Sequence, residues 1–252
     1  MKIAGLTCTK GRFSYLRRVL SCFLSQQYDD KLLLIYNNAS IPIKMDPIEN
    51  VKLINNNIDY VTKQPYSDVG SIFRDALTHI PADVDYVSIM DDDDIYLPRH
   101  FSRAAEFFSA DKAGYKVWKP GYYFFKRSLL DVEYLHSNNN LEASCIIDHS
   151  FLKKHGFEIN ASVTYNLRWL NAARRENLVF LDSKNIEPSY CYEFSQGDLT
   201  HVSHISDTFS KEQFDQRVNE TSDFGKDESL IPWPPDQLQK FFDLYFDLDN
   251  YI

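Results

Sequence analysis

The first ninety residues alternate short apolar runs with amphipathic helical stripes, and this order restricts the fold more than any other feature of the chain. Ile3 to Cys8 is an apolar run. Phe13, Leu16, Val19, Leu20, Phe23 and Leu24 then recur at helical spacing, with Arg12, Arg17, Arg18 and Gln26 on the other side. Leu32 to Tyr36 is a continuous apolar run of the kind found in strands covered on both faces, and Val51 to Ile54 is a shorter one. Pro42 and Pro47 mark the loop between them. Val69, Ile72, Phe73, Ala76, Leu77 and Ile80 form a second helical stripe closed by Pro81, and Tyr86 to Met90 is the next buried strand. Strands and helices in this order predict an α/β fold with a mainly parallel sheet, an architecture that binds ligands beyond the carboxyl ends of its strands.

The later chain is less regular. Phe101 to Phe108 reads as a helix, Val117 to Phe125 as one strand, Val132 to His136 as another, and Ala143 to Ile147 as a short buried strand. Asp148 is placed to cap a helix running through His155, with Gly156 just past its end. Tyr165 to Arg175 reads as a helix and Leu178 to Leu181 as a strand. Composition turns polar near residue 205, and Ile231-Pro-Trp-Pro-Pro is a rigid spacer before a last helix with Leu238, Phe241, Phe242 and Tyr245 on one face. The expected organisation is a domain over 1–205, in halves 1–98 and 99–205, followed by a helical extension over 206–252. That helix is expected to pack on the domain or on a twin subunit as a homodimer contact.

Composition excludes several classes. With 18 Phe, 16 Tyr and 3 Trp in 252 residues the chain cannot be disordered, because those rings need a core. A net charge of −9 argues against non-specific attraction to a phosphate backbone. No run reaches the roughly 18 apolar residues of a membrane span, and Lys2 leads straight into a strand, so a cytoplasmic chain is expected. Cys8, Cys22, Cys145 and Cys191 are widely separated, as suits reduced thiols.

The buried run Tyr86 to Met90 ends abruptly in Asp91, Asp92, Asp93 and Asp94. Four adjacent carboxylates repel one another unless a cation or hydrogen-bond donors neutralise them. Such oxygen-only ligands suit Mg²⁺ or Mn²⁺, which bind through one or two carboxylates while substrate phosphates complete the shell. A solvated acidic turn capping the next helix is the alternative; the position at the carboxyl end of a central strand favours the metal.

Cys8-Thr9-Lys10-Gly11-Arg12, a helix ending in Ser25-Gln26-Gln27-Tyr28, then Leu33 through Ser40, resembles the opening of family-two nucleotide-sugar glycosyltransferases of the GT-A fold. That family reads Pro-Thr-Tyr-Asn-Arg, helix, Gln-x-Tyr, strand, Val-Asp-Asp-Gly-Ser. Gly70 through Leu77 is similar to its Gly…Ala-Arg-Asn-x-Leu helix, and Ile89 through Pro98 to its Asp-x-Asp-Asp-x-Tyr-x-Pro segment. The resemblance implies a Rossmann-like, mixed and mainly parallel sheet flanked by helices, a nucleotide-sugar donor, a UDP-sugar first among them, and Mn²⁺ or Mg²⁺. It further implies that Thr9 and Arg12 lie beside the nucleotide; a helix cap for Thr9 and a solvated side chain for Arg12 are the plain alternatives. Asn37 stands where the family has an aspartate that reads the base, and since an amide donates as well as accepts, the base preference stays open. Arg74 is expected either near the diphosphate and the aspartates or in a surface salt bridge. Of the two Asp-x-Asp registers, 91/93 follows Ile89-Met90 directly and is taken for the metal, with Asp94 assisting and Asp92 contacting the nucleotide sugar. A late histidine, His201 with His204 behind it, is a further metal candidate.

One departure concerns catalysis. Inverting members carry a Glu-Asp pair after a Gly-Phe turn, and its Asp is the general base. Here Gly156-Phe157 is present, but Val163 and Thr164 stand at the two acidic positions. Glu142, after the Asn138-Asn139-Asn140 loop, is the replacement candidate; Asp148 reads as a cap and Glu158 as exposed. Sugar transfer to the hydroxyl of a glycan, a lipid-linked sugar or a protein is therefore the leading expectation. A hydroxylated nucleic-acid base is a less favoured acceptor that would need Lys10, Arg12, Arg17, Arg18 and the Tyr122 to Lys126 segment. A catalytically degenerate sugar-nucleotide binder is the alternative from another class. A metal-dependent phosphotransferase or nuclease is disfavoured by the lack of a P-loop or a second acidic cluster.

Overall fold

The computed structural model describes residues 1–128, 131–136, 142–161 and 165–193. β1 (Ile3–Thr9), α1 (Phe13–Leu24), β2 (Lys31–Asn37), β3 (Val51–Asn55), α2 (Val69–Leu77) and β4 (Tyr86–Ile89) follow in the predicted order. β1 lies between β2 and β4 and runs parallel to both, and β3 extends the sheet parallel to β2. Beyond them come β5 (Ile95–Tyr96), α3 (His100–Ala110), β6 (Val117–Pro120), β7 (Tyr122–Ser128) and β8 (Asp131–His136). A single 3-10 turn (Glu142–Ser144), β9 (Ile146–Asp148), α4 (His149–His155), α5 (Leu167–Arg175), β10 (Val179–Asp182) and β11 (Tyr190–Glu193) complete the described chain. The main sheet has the order β10-β6-β9-β4-β1-β2-β3. β9 is antiparallel to both β4 and β6, so the sheet is mixed but mainly parallel, as the α/β reading required.

Alternation along the buried strands fills two cores. Leu33 and Ile35 of β2 face α1 and α3, packing with Leu16, Val19, Phe23, Phe101 and Ala104. Leu34 and Tyr36 face the other way, into a core with Ile72, Phe73 and Ala76 of α2 and with Leu152 and Trp169 of α4 and α5. That is why β2 reads as a continuous apolar run: both of its faces are covered. Each fully buried side chain of this size contributes about 1.5–3 kcal/mol. Among the described residues no helix is long and apolar enough to cross a membrane, and all four cysteines are free thiols.

Several expectations change. Val117 to Phe125 is not one strand: Gly121 breaks it, leaving β6 in the main sheet and sending β7 into a second sheet of order β5-β11-β7-β8. The chain passes so close to β10 there that a Cβ on Gly121 would lie 2.5 Å from the Asp182 carbonyl oxygen. Ala143 and Ser144 belong to the 3-10 turn and not to the strand, and the α5 helix starts at Leu167 instead of Tyr165. β11 had no counterpart in the sequence reading. Asp148 does cap α4, accepting from the Phe151 N–H at 2.8 Å, and Gly156 ends that helix with φ at 66°. The extension over 206–252, with its proposed dimer contact, lies outside the described residues.

α2 is locked against the segment that follows α4. The Gly70 N–H donates to the Ala161 carbonyl at 3.1 Å, and a Cβ on Gly70 would lie 1.8 Å from the Glu158 carbonyl oxygen. Gly70→Ala is therefore expected to cost about 1–3 kcal/mol through forced backbone displacement. A thermal melt should show this as a fall in Tm of about 2–4 °C per kcal/mol.

Candidate active site

The register of the central strands assembles the site. β1 and β4 pair in parallel with Leu6 beside Ile89, so three residues further on Thr9 arrives beside Asp92. The Thr9 hydroxyl donates to Asp92 Oδ2 at 2.7 Å. Arg12, at the start of α1, donates from Nε to the same oxygen at 3.1 Å and from Nη2 to Oδ1, a bidentate grip, and its Nη1 lies 3.4 Å from Asp93. The N-cap position of α1 is Arg12, whose side chain makes no capping hydrogen bond, so Thr9 is a partner of Asp92 and not the helix cap. Arg18, farther along the helix, donates to the Asp93 main-chain carbonyl at 2.9 Å. The Tyr15 ring lies between the two guanidinium groups, 5.1 Å from Arg12 and 5.3 Å from Arg18.

Three tyrosines brace the other side. The Tyr96 hydroxyl donates to the Ile89 carbonyl and accepts from the Asp91 N–H, each at 2.9 Å. The Tyr165 hydroxyl donates to the Asp91 carboxylate, 3.2 Å from Oδ1 and 3.4 Å from Oδ2. The Tyr190 hydroxyl donates to Asp94, delivered by the antiparallel pairing of β11 with β5 that sets Tyr190 against Tyr96. Asp92, Asp93 and Asp94 are buried, and Asp91 is partly exposed.

The other predicted residues lie as follows. Asn37 is fully buried and turned inward. Its amide nitrogen donates to Asn55 Oδ1 at 2.8 Å and to the Ile41 carbonyl at 3.1 Å, and its oxygen accepts from the Ala39 N–H. Arg74 takes the salt-bridge alternative, with Asp59 at 2.8 Å and Asp75 at 2.7 Å, and none of these contacts reaches the aspartate run. Glu142 opens the 3-10 turn whose next residue, Ala143, lends its carbonyl to the Tyr96 hydroxyl at 3.3 Å, so the turn abuts the end of β4. Asp148 also pairs with Lys116 at 2.8 Å, and Glu158 is exposed. His201, His204, Val163 and Thr164 lie outside the described residues. Sequence reasoning gave no site role to Tyr96, Tyr165 or Tyr190, although Tyr96 stands at the tyrosine of the family-like segment over Ile89 to Pro98, and it named Arg18 only for a nucleic-acid acceptor; in a chain with 16 tyrosines nothing local distinguishes Tyr190.

Although Asp91 keeps some exposure, desolvation of its carboxylate at the crowded strand end, followed by the charges of Asp93 and Asp92, pushes it up to about 7, against the opposing pull of Tyr165 and Arg12. Burial raises Asp92 as well, opposed by Arg12. A carboxyl group whose folded pKa lies above its unfolded value stabilises the fold at low pH, and that contribution is lost as pH rises through the folded pKa. Asp91→Asn removes one charge and keeps an acceptor for Tyr165. It is expected to raise the Tm of the metal-free protein by a few degrees, about 1–2 kcal/mol, at about pH 8. At about pH 4, where Asp91 is protonated in the folded chain, the gain should vanish in melts across pH.

Among the described residues no three His, Cys, Asp or Glu side chains converge as a complete metal-binding group. A divalent cation that takes part of its shell from a diphosphate needs only one or two carboxylates, and Asp91 and Asp93 carry oxygens of the kind such a cation takes. Asp92 is held by Thr9 and Arg12, and Asp94 is turned to Tyr190.

The profile described as glycosyl transferase family 2 matches residues 6–154. No curated protein sequence matches the chain. Among solved structures, S. aureus TarS 1–349 in complex with UDP-GlcNAc is similar at a TM-score of 0.59 and 16% identity, covering 98% of this chain and 73% of that one. The mannosyltransferase PcManGT from Pyrobaculum calidifontis, in complex with GDP-Man and Mn²⁺, gives 0.55 and 11%, with 97% and 69% covered. The chain spans 60% of another TarS 1–349 structure and 49% of a further TarS structure. At these identities the structures speak for the shared GT-A fold, and the profile, which spans more than half of the sequence, settles the family. The chain belongs to glycosyl transferase family 2.

Proposed function

We propose that the chain transfers a sugar from a nucleoside-diphosphate-sugar donor, a UDP-sugar in first place, to a hydroxyl of a glycan, a protein or another acceptor, with Mn²⁺ or Mg²⁺. The observation that carries this reading is the unequal treatment of the four aspartates: Asp92 is gripped by Thr9 and Arg12, whereas among the described residues the Asp91 carboxylate receives a single tyrosine hydroxyl. Complexes of TarS with UDP-GlcNAc and UDP, and of PcManGT with GDP-Man and Mn²⁺, support the donor class and the cation for a chain of this fold. Asp91 and Asp93 would hold the cation, with Asp94 behind them and His201 as a further candidate. Bound there, the cation supplies Lewis-acid stabilisation of the charge on the departing diphosphate.

The chain's own groups have distinct parts in this reading. The first turn of α1, whose N-cap Arg12 makes no side-chain capping bond, would offer main-chain N–H groups to a phosphate, and Arg12 adds positive charge beside them. Asp92, oriented by Thr9 and Arg12, is the ribose contact. Asn37, with its amide used inside the protein, acts on the base through the 38–43 loop that it braces. Glu142 is the candidate general base, taking the proton from the acceptor hydroxyl. An acceptor on nucleic acid would use the basic face of α1, where Arg12 and Arg18 flank Tyr15. The degenerate-binder reading rests on Val163 and Thr164, which stand where an acidic pair is usual.

Turnover of UDP-sugars with Mn²⁺, followed by UDP release with and without acceptor, separates these readings. Asp93→Asn is expected to lower turnover by about 10²–10³-fold, the scale of losing cation-mediated charge stabilisation. Glu142→Gln should lower acceptor-dependent turnover by about 10²-fold or more while UDP-sugar binding is kept. Binding with no turnover in the wild type favours the degenerate binder, and full activity of Asp93→Asn overturns the cation site.

A further inference from the structure

Tyr165 is the one side chain among the described residues that hydrogen-bonds the Asp91 carboxylate, and its hydroxyl is nearly equidistant from both oxygens, 3.2 and 3.4 Å. Its position is over-determined. The ring stacks on Phe73 of α2 at 4.8 Å with planes 12° apart and packs beside Phe157. Its main-chain carbonyl accepts from the Glu158 N–H at 2.8 Å. The residue is 5% exposed, and its hydroxyl is a donor to a carboxylate that can only accept. Phe73 is equally fixed, because the Gly70 approach to Glu158 locks α2 onto the same segment. The hydroxyl is thus a rigid donor carried by the later half of the chain and aimed at the first carboxylate of the aspartate run, 74 positions away in sequence.

We infer that Tyr165 is a positioning residue of the donor site: its hydroxyl sets the orientation of the Asp91 carboxylate, and with it the affinity for a divalent cation. This rests on the cation site of the proposed function. A carboxylate that binds a metal with one oxygen is fixed by the hydrogen bond made to it from behind, and loss of such a partner typically costs about 10–100-fold in metal affinity. The arrangement also ties that affinity to the Phe73, Phe157 and Tyr165 stack, away from the nucleotide itself. A purely structural role, in which Asp91 merely satisfies a buried hydroxyl, predicts instead that deleting the hydroxyl changes stability and leaves cation affinity alone.

The test is a Mn²⁺ titration of the full chain in the presence of UDP, with free Mn²⁺ read by electron paramagnetic resonance, for the wild type, Tyr165→Phe and Phe73→Leu. A thermal melt of each variant accompanies it. Tyr165→Phe keeps the stacked ring and is expected to bind Mn²⁺ about 10–100-fold more weakly. Phe73→Leu keeps the hydroxyl but removes its stacking partner, and a smaller loss in the same direction is expected; it also serves if Tyr165→Phe does not fold. In the Asp91→Asn background the hydroxyl deletion should cause no further loss, because its effect runs through Asp91. Wild-type affinity in the folded variants overturns the inference while the cation site stands. Failure of the wild type itself to bind Mn²⁺ with UDP overturns the cation site, and the inference falls with it.

Discussion

Four consecutive carboxylates stand at the end of β4, three of them buried, and their mutual repulsion is the constraint around which the molecule is arranged. Charges of one sign held this close in a desolvated place are costly unless each finds a donor. Donors to the carboxylates come from several elements that reach the strand end: Thr9 from β1, Arg12 at the start of α1, Tyr165 just before α5 and Tyr190 from β11, while Arg18 donates to the Asp93 main-chain carbonyl and Tyr96 accepts from the Asp91 N–H. The small second sheet gains its meaning here, since β5 and β11 pair in the register that brings Tyr190 to Asp94.

This arrangement separates the carboxylates into kinds. Asp92 meets a guanidinium and a hydroxyl, which oppose the upward pull of its burial. Among the described residues the Asp91 carboxylate meets one hydroxyl, and its desolvation raises its affinity for a proton. The sheet that carries these carboxylates is a family-two glycosyltransferase sheet. The polar interior is also where sequence resemblance and side-chain geometry part. Asn37 replaces an acid in the family pattern, and its amide is spent on Asn55 and Ile41, bracing the loop beside the site.

How much was legible in the sequence follows from the range over which each feature is determined. The βαβ order through β4 was legible because apolar period and helix-closing proline are local, and the alternation of β2 between two cores is visible in its uninterrupted apolar run. The break at Gly121 was not, because strand periodicity is the same on both sides of it; what ends the strand is the close passage of β10, some sixty residues on. Arg74 illustrates the same limit from the other direction. The resemblance left it between the diphosphate and a surface salt bridge, and only the fold brings Asp59 and Asp75 to its guanidinium.

By itself the sequence determined the class of fold and the chemistry at its strand ends, because both are written in runs of neighbouring residues: apolar strands, amphipathic helices and four adjacent acids. Only the tertiary structure decided which acid receives which donor. Thr9 and Asp92 are 83 positions apart, Tyr165 and Asp91 74, and Tyr190 and Asp94 96. A hydrogen bond needs its partners placed to within a few tenths of an ångström. That precision is set by strand register and core packing summed over the whole sheet, a quantity no local pattern contains.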